Sequence, residues 1–373
     1  YTSSAASDVY KRQTWLGDFE LSVLFDWDRA GDVIEFGDYE GRAKWERALQ
    51  VPHQSMRDAL ITMITVQGDT EFASVEQQRH LLASAPTDYD RYAAARIMAE
   101  EQRHGWQMAY LLMTYFGQQG RREAQKLLER NAQDGDRLLG AFNRPMPHWL
   151  DFFCYTMFVD RDGKFQLGML STSAFKPLAA SMGPMLKEES FHLGTGSNGL
   201  RRIIKAGVIP LDMLQRYINK WVSTAHDLFG VDASSSAHWA YVWGIKGRWD
   251  ERKKLDSGIE VNKETLNEES RGHYHDEIVF EVEKLSKYLP EGSTKLYVPH
   301  ENFNRDIGSA KGQRFTTDGE VFVGSDEDWE NYLYDVLPRS QDEEDLKELF
   351  KQEWIANKPM SARQIESRIG ASI

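Results

Sequence analysis

The sequence predicts a mainly α protein: a four-helix bundle with additional helices, followed by a C-terminal extension that contains short β-strands. Three observations predict it. Long segments between residues 56 and 245 carry apolar side chains at helical spacing. Two of them hold an E-x-x-H string, Glu101-Gln-Arg-His104 and Glu189-Ser-Phe-His192. Each string is preceded, thirty and twenty-nine residues upstream, by a carboxylate, Glu71 and Asp160.

Taken in order, residues 1–13 lack the apolar core of a secretory signal and read as translated sequencing adaptor. The natural chain is therefore expected to enter at about Thr14. Residues 14–55, aromatic and acidic with Trp15, Phe25, Trp27, Phe36 and Trp45, read as an irregular remnant of a larger N-terminal region. The bundle is expected over 56–245. Its first helix should run from Met56 to Leu82 with an interruption at Gly68-Asp69-Thr70. Thr87 is an N-cap for the second, with Asp90 three residues on and Gly117 as the stop. A charged helix follows from Arg121 to about Asn131, then a loop and the apolar run Trp149–Val159. Pro177 and Gly183-Pro184 punctuate the next helical stretch, and Pro184 suits a first-turn position. Leu211–Leu228 is amphipathic.

The extension, 246–373, changes character. Arg248–Asn267 is dense in charge and reads as a solvated loop, and Glu268–Tyr288 as a helix. Lys295–Val298, Gln313–Thr316 and Glu320–Val323 read as short strands beside turn residues. Charged helices from Gln341 to Ile355 close the chain.

Composition removes several classes of function. With 45 basic and 58 acidic side chains the formal charge is −13, which repels phosphate backbones and argues against nucleic acid as the main partner. No apolar run approaches the roughly 18 residues of a spanning helix, so no membrane role is expected. The single cysteine, Cys154, excludes an internal disulfide framework and a cysteine-built zinc or iron–sulfur site, and fits a cytoplasmic setting.

The chemistry lies in the paired strings. At i and i+3 a carboxylate and an imidazole share a helix face and can reach one site. A carboxylate on one helix, a turn, and E-x-x-H on the antiparallel return bring the groups level, and the arrangement occurs twice. That is the ligand set of a ferritin-like bundle: Glu71, Glu101, His104, Asp160, Glu189 and His192. Four carboxylates and two imidazoles suit iron or manganese, and four negative charges balance two divalent cations. Asp162 competes with Asp160, but points about 200° round the helix from it, and symmetry favours Asp160. Asp160-Arg-Asp-Gly163 lacks the remaining acids of a calcium loop.

Weaker signals have plainer readings. Gln67, one turn before Glu71, is a candidate support for that ligand, with a solvated glutamine nearly as good a reading. Glu100 and Glu188 divide evenly between surface and ligand-supporting roles. His80 falls on about the face opposite Glu71, and His273 and His275 read as surface residues. Gly194-Thr-Gly-Ser-Asn-Gly199 matches G-x-G-x-x-G but follows no strand, so it reads as a loose helix end. Trp239, Tyr241 and Trp243 read as core.

Longer strings are more specific than E-x-x-H. Thr65–Glu71 (TVQGDTE), Ser74–His80 (SVEQQRH), Glu100–His104 (EEQRH), Asp160–Gln166 (DRDGKFQ), Asp227–Gly230, Val298-Pro299 and Phe303–Arg305 resemble the family of benzoyl-CoA 2,3-epoxidase oxygenase (B) components, from Thr14 to about Pro359. The resemblance implies a diiron monooxygenase in which Glu71, Glu101, His104, Asp160, Glu189 and His192 hold two iron ions. It further implies epoxidation of benzoyl-CoA at C2–C3 with O2, with electrons from NADPH through a separate reductase, in aerobic aromatic degradation. Two departures stand out: family members begin upstream of Thr14, and the stretch Gly194–Gly207 is compressed. The alternatives are a component of a phenylacetyl-CoA-type epoxidase and a truncated, iron-binding homologue without activity. A ribonucleotide-reductase radical subunit would carry a tyrosine where Met108 stands, and a ferritin-like storage protein would lack the C-terminal extension.

Overall fold

The structure, a computed structural model, describes residues 23–232, 234–254 and 261–356. Residues 1–13, read above as adaptor, lie outside the described residues. Among the described residues ten α-helices are of eight or more residues: α1 (Gln54–Gln78), α2 (Asp88–Tyr115), α3 (Gly117–Glu129), α4 (Trp149–Leu170), α5 (Lys176–Ala206), α6 (Leu211–Leu228), α7 (Ser235–Val242), α8 (Leu266–Ser286), α9 (Asp326–Val336) and α10 (Ser340–Leu349).

Facing residues give the registers. Gly68 and Phe72 of α1 meet Met108 and Gly105 of α2, so these two run antiparallel. Thr156 and Phe153 of α4 meet Gly196 and Gly199 of α5, a second antiparallel pair. Gln107 of α2 donates to Ser181 Oγ of α5 at 2.9 Å, which joins the pairs side by side. α6 packs on α4, and α8 lies against α4 and α5. From Trp149 to Val159 every residue of α4 is buried, as expected of a helix that is apolar all round. Each large side chain there, such as Trp149, Phe152 or Phe158, contributes about 2–3 kcal/mol by its burial. Tyr274, Ile278 and Val282 of α8 and Leu346 of α10 join the same core.

Local signals place several boundaries. Thr87 Oγ1 accepts from the Asp90 N–H at 3.1 Å, and Asp88 and Asp90 sit in the first turn against the positive end of the α2 dipole. Gly207, with φ of +65°, ends α5 in the left-handed conformation that glycine adopts without strain.

Five expectations are corrected. α1 is continuous through Gly68-Asp69-Thr70. Gly68 is a packing residue, since a Cβ there would fall 2.9 Å from Met108 Cβ, and Asp69 is engaged by Arg137 Nη1 at 3.2 Å and the Leu138 N–H at 2.7 Å. Pro184 lies inside α5, not in its first turn; Pro177 takes that place. The Ala180 carbonyl, which a proline at 184 cannot reach with an N–H, accepts instead from the Asp26 N–H at 2.8 Å. The Gly194–Gly199 stretch is also no loose end but helix interior, where a Cβ on Gly199 would come within 2.1 Å of the Phe153 ring. Arg248, Asp250 and Glu251 are buried and mutually paired, so that stretch is solvated only in part, at Arg252 and at 262–264; residues 255–260 lie outside the described residues.

The fifth concerns the C-terminal strands: among the described residues there are none. Gln313–Thr316 and Glu320–Val323 meet in one isolated antiparallel bridge, Phe315 to Val321. Lys295–Val298 has its backbone taken by a side chain, for Gln215 of α6 accepts from the Tyr297 N–H (3.0 Å) and donates to its carbonyl (2.9 Å). A ladder there would need those same groups. The composition also conceals α9, which Ser325 opens with a capping box to Asp328.

One buried group at the head of α4 makes stability depend on pH. His148 is 2 % exposed; its Nδ1 accepts from the Asp151 N–H, and Nε2 lies 2.8 Å from Tyr217 Oη. Burial lowers its pKa to about 4 from 6.5, with nearby Asp151 pulling the other way. Between those two values the unfolded chain binds the proton and the folded one does not, so stability is whole above about 6.5 and falls as pH drops towards 4. The loss is expected to reach about 3 kcal/mol. Urea midpoints at pH 7.5 and 4.5 for the wild type and His148→Asn check this; equal pH dependence in the two would refute it.

Candidate metal centre

The six ligand candidates come from four long helices. α1 supplies Glu71, α2 supplies Glu101 and His104, α4 supplies Asp160, and α5 supplies Glu189 and His192. All six are buried; both histidines are fully enclosed. The i, i+3 spacing turns each Glu/His pair of α2 and α5 to one face, and the antiparallel registers bring these faces together.

The groups form two triads with ligand atoms within 4.8 Å of one another: Glu71, Glu101 and His104, and Glu101, Glu189 and His192. Glu101 belongs to both. His104 Nδ1 lies 3.2 Å from Glu71 Oε2, and His192 Nδ1 lies 3.2 Å from Glu101 Oε1, 3.4 Å from Glu189 Oε2 and 3.9 Å from Asp160 Oδ2. The rings stand 6.3 Å apart. Asp160 therefore faces the second triad. Asp162 does not: it is buried against Gln166, whose Nε2 donates to its Oδ1 at 2.9 Å.

The outer edges of the imidazoles are held in a crossed pattern. Glu188, beside Glu189 on α5, takes His104 Nε2 at 2.6 Å and also pairs with Arg103. Glu100, beside Glu101 on α2, takes His192 Nε2 at 3.0 Å and pairs with Arg96 at 2.8 Å. A proton held on Nε2 by a carboxylate leaves the Nδ1 lone pair facing inward, as a metal ligand requires. Gln67 Nε2 likewise donates to Glu71 Oε1 at 2.6 Å.

The electrostatics describe a site short of positive charge. Burial, then Glu71, pushes the Glu101 carboxyl well above the ordinary range, and burial with Glu189 does the same to Asp160. Glu71 goes the other way, to about 2: burial opposes ionisation, but His104, 3.2 Å away, and the Gln67 amide outweigh it. Asp160 Oδ2, Glu189 Oε2 and His192 Nδ1 are buried with no hydrogen-bond partner. Unpartnered buried polar atoms are rare in folded proteins, and three around one point fit a bound cation. The donor set, oxygen-rich with two imidazoles, fits metal ions that prefer hard and borderline ligands.

A cavity of about 190 Å³ lies over the carboxylate side, between α1 and α4, with Glu71, Glu101, Asp160 and Glu189 in its wall. The remaining wall is largely apolar, including Met63, Val66, Leu139, Phe142, Leu167 and Leu228. Its polar members away from the carboxylates include Asp162, Gln166 and Lys246. Burial raises the Asp162 pKa to about 7, against the pull of Gln166 and Lys246.

Three participants escape sequence reasoning. Gln166 stands four residues after Asp162, a spacing that could have revealed their contact. Tyr155, buried in the cavity wall, lies at no motif position. Lys246 is eighty residues from Gln166 and carries no local signal. Of the residues assigned elsewhere, His80 meets the Met146 carbonyl at 2.8 Å, and His275 Nδ1 lies 3.4 Å from the buried His226, so it is not simply a surface residue. Trp239, expected in the core, is 43 % exposed and stacked on Trp243.

Among the described residues no helix is long and apolar enough to cross a membrane. A family model described as phenylacetic acid catabolic protein matches residues 46–305. Benzoyl-CoA oxygenase component B of Aromatoleum evansii is 36% identical over 368 residues, spanning 87% of this chain and 76% of that protein. One of the subunits of the 1,2-phenylacetyl-CoA epoxidase of Escherichia coli is 24% identical over 283 residues, 74% of this chain and 84% of that protein.

Proposed function

The chain belongs to the phenylacetic acid catabolic protein family, and from that premise we propose that it is the oxygenase component of an aryl-CoA epoxidase acting on benzoyl-CoA at C2–C3. In this reading residues 56–245 form a ferritin-like diiron bundle, 246–373 make up a C-terminal extension, and the protein works in the cytoplasm. The observation that carries the reading is the pair of triads sharing Glu101, with three orphaned ligand atoms beside an apolar cavity.

Glu71, Glu101, His104, Asp160, Glu189 and His192 would hold two iron ions. Bound there, they would supply the redox chemistry that reduces O2 and places one oxygen atom on the ring and the other in water, with electrons from NADPH through a separate reductase. The chain's own residues do the rest. Glu188 and Glu100 fix the tautomer and direction of His104 and His192, and Gln67 orients the Glu71 carboxylate. The apolar walls seat an aromatic ring against the carboxylate side and keep water out, which strengthens every charge interaction inside. The CoA portion gives binding energy far from the reacting atoms.

Iron-loaded protein is expected to hold about two ions per chain, as two triads and four carboxylates require. With NADPH and a matching reductase, oxygen uptake should depend on benzoyl-CoA, exceed that with phenylacetyl-CoA, and yield a CoA-linked epoxide. Free benzoate, which lacks the remote handle, should not substitute. One zinc per chain, or no iron after anaerobic loading, would refute the diiron reading. Oxygen uptake equal with and without every substrate, and no epoxide, would identify an iron-binding homologue without activity.

A further inference from the structure

The cavity has a polar group that the metal centre does not use. Lys246, in the segment after α7, lines the same cavity as Glu71, Glu101, Asp160 and Glu189. Its Nζ donates to Gln166 Oε1 at 2.6 Å, and Gln166 Nε2 donates to Asp162 Oδ1 at 2.9 Å. An amide with an acceptor on one side and a cation on the other has one sensible orientation, so Asp162 sets Gln166 and Gln166 sets Lys246. Lys246 is half-buried; burial lowers its pKa and nearby Asp162 pulls it back up.

An ammonium carries three N–H donors, and among the described residues the bond to Gln166 engages one. The surrounding wall, with Leu167, Leu170 and Leu228, offers hydrocarbon. A ligand that fills this cavity must therefore bring an acceptor for Lys246, or it strands a donor.

On the reading of the site as an aryl-CoA pocket, the acceptor follows from the substrate's chemistry. The cavity, about 190 Å³, has room for a ring and the group attached to it, not for a nucleotide. The polar group attached to the ring of an aroyl thioester is its carbonyl; the phosphates lie at the far end of the pantetheine arm. A carbonyl taken out of water without a donor is itself strongly disfavoured. We propose that Lys246, held in place by Gln166 and Asp162, is the positioning residue that donates to the thioester carbonyl of the acyl-CoA and so fixes which ring edge faces the metal centre.

The test is equilibrium binding to the iron-loaded protein without oxygen, using benzoyl-CoA and S-benzyl-CoA, which has CH2 in place of the carbonyl. Wild type is expected to prefer benzoyl-CoA by about ten- to a hundred-fold, the range for one hydrogen bond to a charged group. Lys246→Met should bind S-benzyl-CoA much as wild type does and lose the preference. Lys246→Arg, which keeps a charged donor, should recover most of it. If the wild type binds both ligands equally, or Lys246→Met weakens both alike, the assignment is overturned while the aryl-CoA reading stands. If the wild type binds neither, the aryl-CoA reading falls and this assignment with it. Equal binding of the two ligands by the wild type overturns the assignment even if Lys246→Met fails to fold.

Discussion

Replacing Glu101 by alanine is expected to empty both metal positions and abolish oxygenase activity. Glu101 belongs to both triads, whereas Glu71 and His104 serve one and Glu189 and His192 the other. Its loss removes a ligand atom from each position and one of the four negative charges that balance two divalent ions. Activity should fall by at least about a hundred-fold, because substitutions of mere supporting groups already reach that level. Glu71→Ala should be milder in metal content and retain close to one ion per chain. The loss should not be unfolding. Burial and Glu71 already push the Glu101 carboxyl well up, so the metal-free variant is relieved of a buried acid and should be at least as stable as the metal-free wild type. Metal analysis beside thermal melts of both forms checks this. An alanine variant that keeps about two ions per chain would refute the shared role of Glu101.

Asp160→Asn is expected to lose iron and activity, whereas Asp162→Asn keeps most of its metal. The two are chemically alike, both buried, two residues apart on α4. They differ in direction. Asp160 Oδ2 is unpartnered and faces His192 Nδ1 at 3.9 Å, while Asp162 Oδ1 is occupied by Gln166. An asparagine at 160 keeps the volume but removes the charge that a divalent ion needs there. At 162 the same change alters the hold on Gln166 and leaves the triads untouched. Iron per chain and oxygen uptake for both variants decide between them. Equal iron loss in both, or loss only at 162, would show that the wrong aspartate has been assigned to the centre.

Much of this architecture is determined locally and so can be read from the chain. The i, i+3 placement of Glu101 with His104 and Glu189 with His192 is a property of one helical turn, as is the Thr87 cap on Asp90. The thirty- and twenty-nine-residue offsets to Glu71 and Asp160 carry the antiparallel pairing, because helices of fixed rise joined by turns bring such positions level. Helical geometry separates Asp160 from Asp162 in direction, and the matching offset of the other half is what favours Asp160.

What the tertiary structure decided lies where two distant segments compete for, or share, the same polar group. Pro184 reads as a helix start until Asp26, far along the chain, supplies a donor to the Ala180 carbonyl and lets α5 continue. Lys295–Val298 reads as a strand until Gln215 takes its backbone groups. The glycines at 68, 196 and 199 read as breaks or loose ends, yet they are where neighbouring helices come too close for a Cβ. Glu100 and Glu188 read as surface or support with equal weight, because each one's partner is a histidine on the other helix. Lys246 joins Gln166 across eighty residues without any pattern between them. Periodicity and caps are short-range energies and leave their mark in neighbouring residues. Satisfaction of buried polar groups is a constraint on the whole packed molecule, and it appears only once the helices have met.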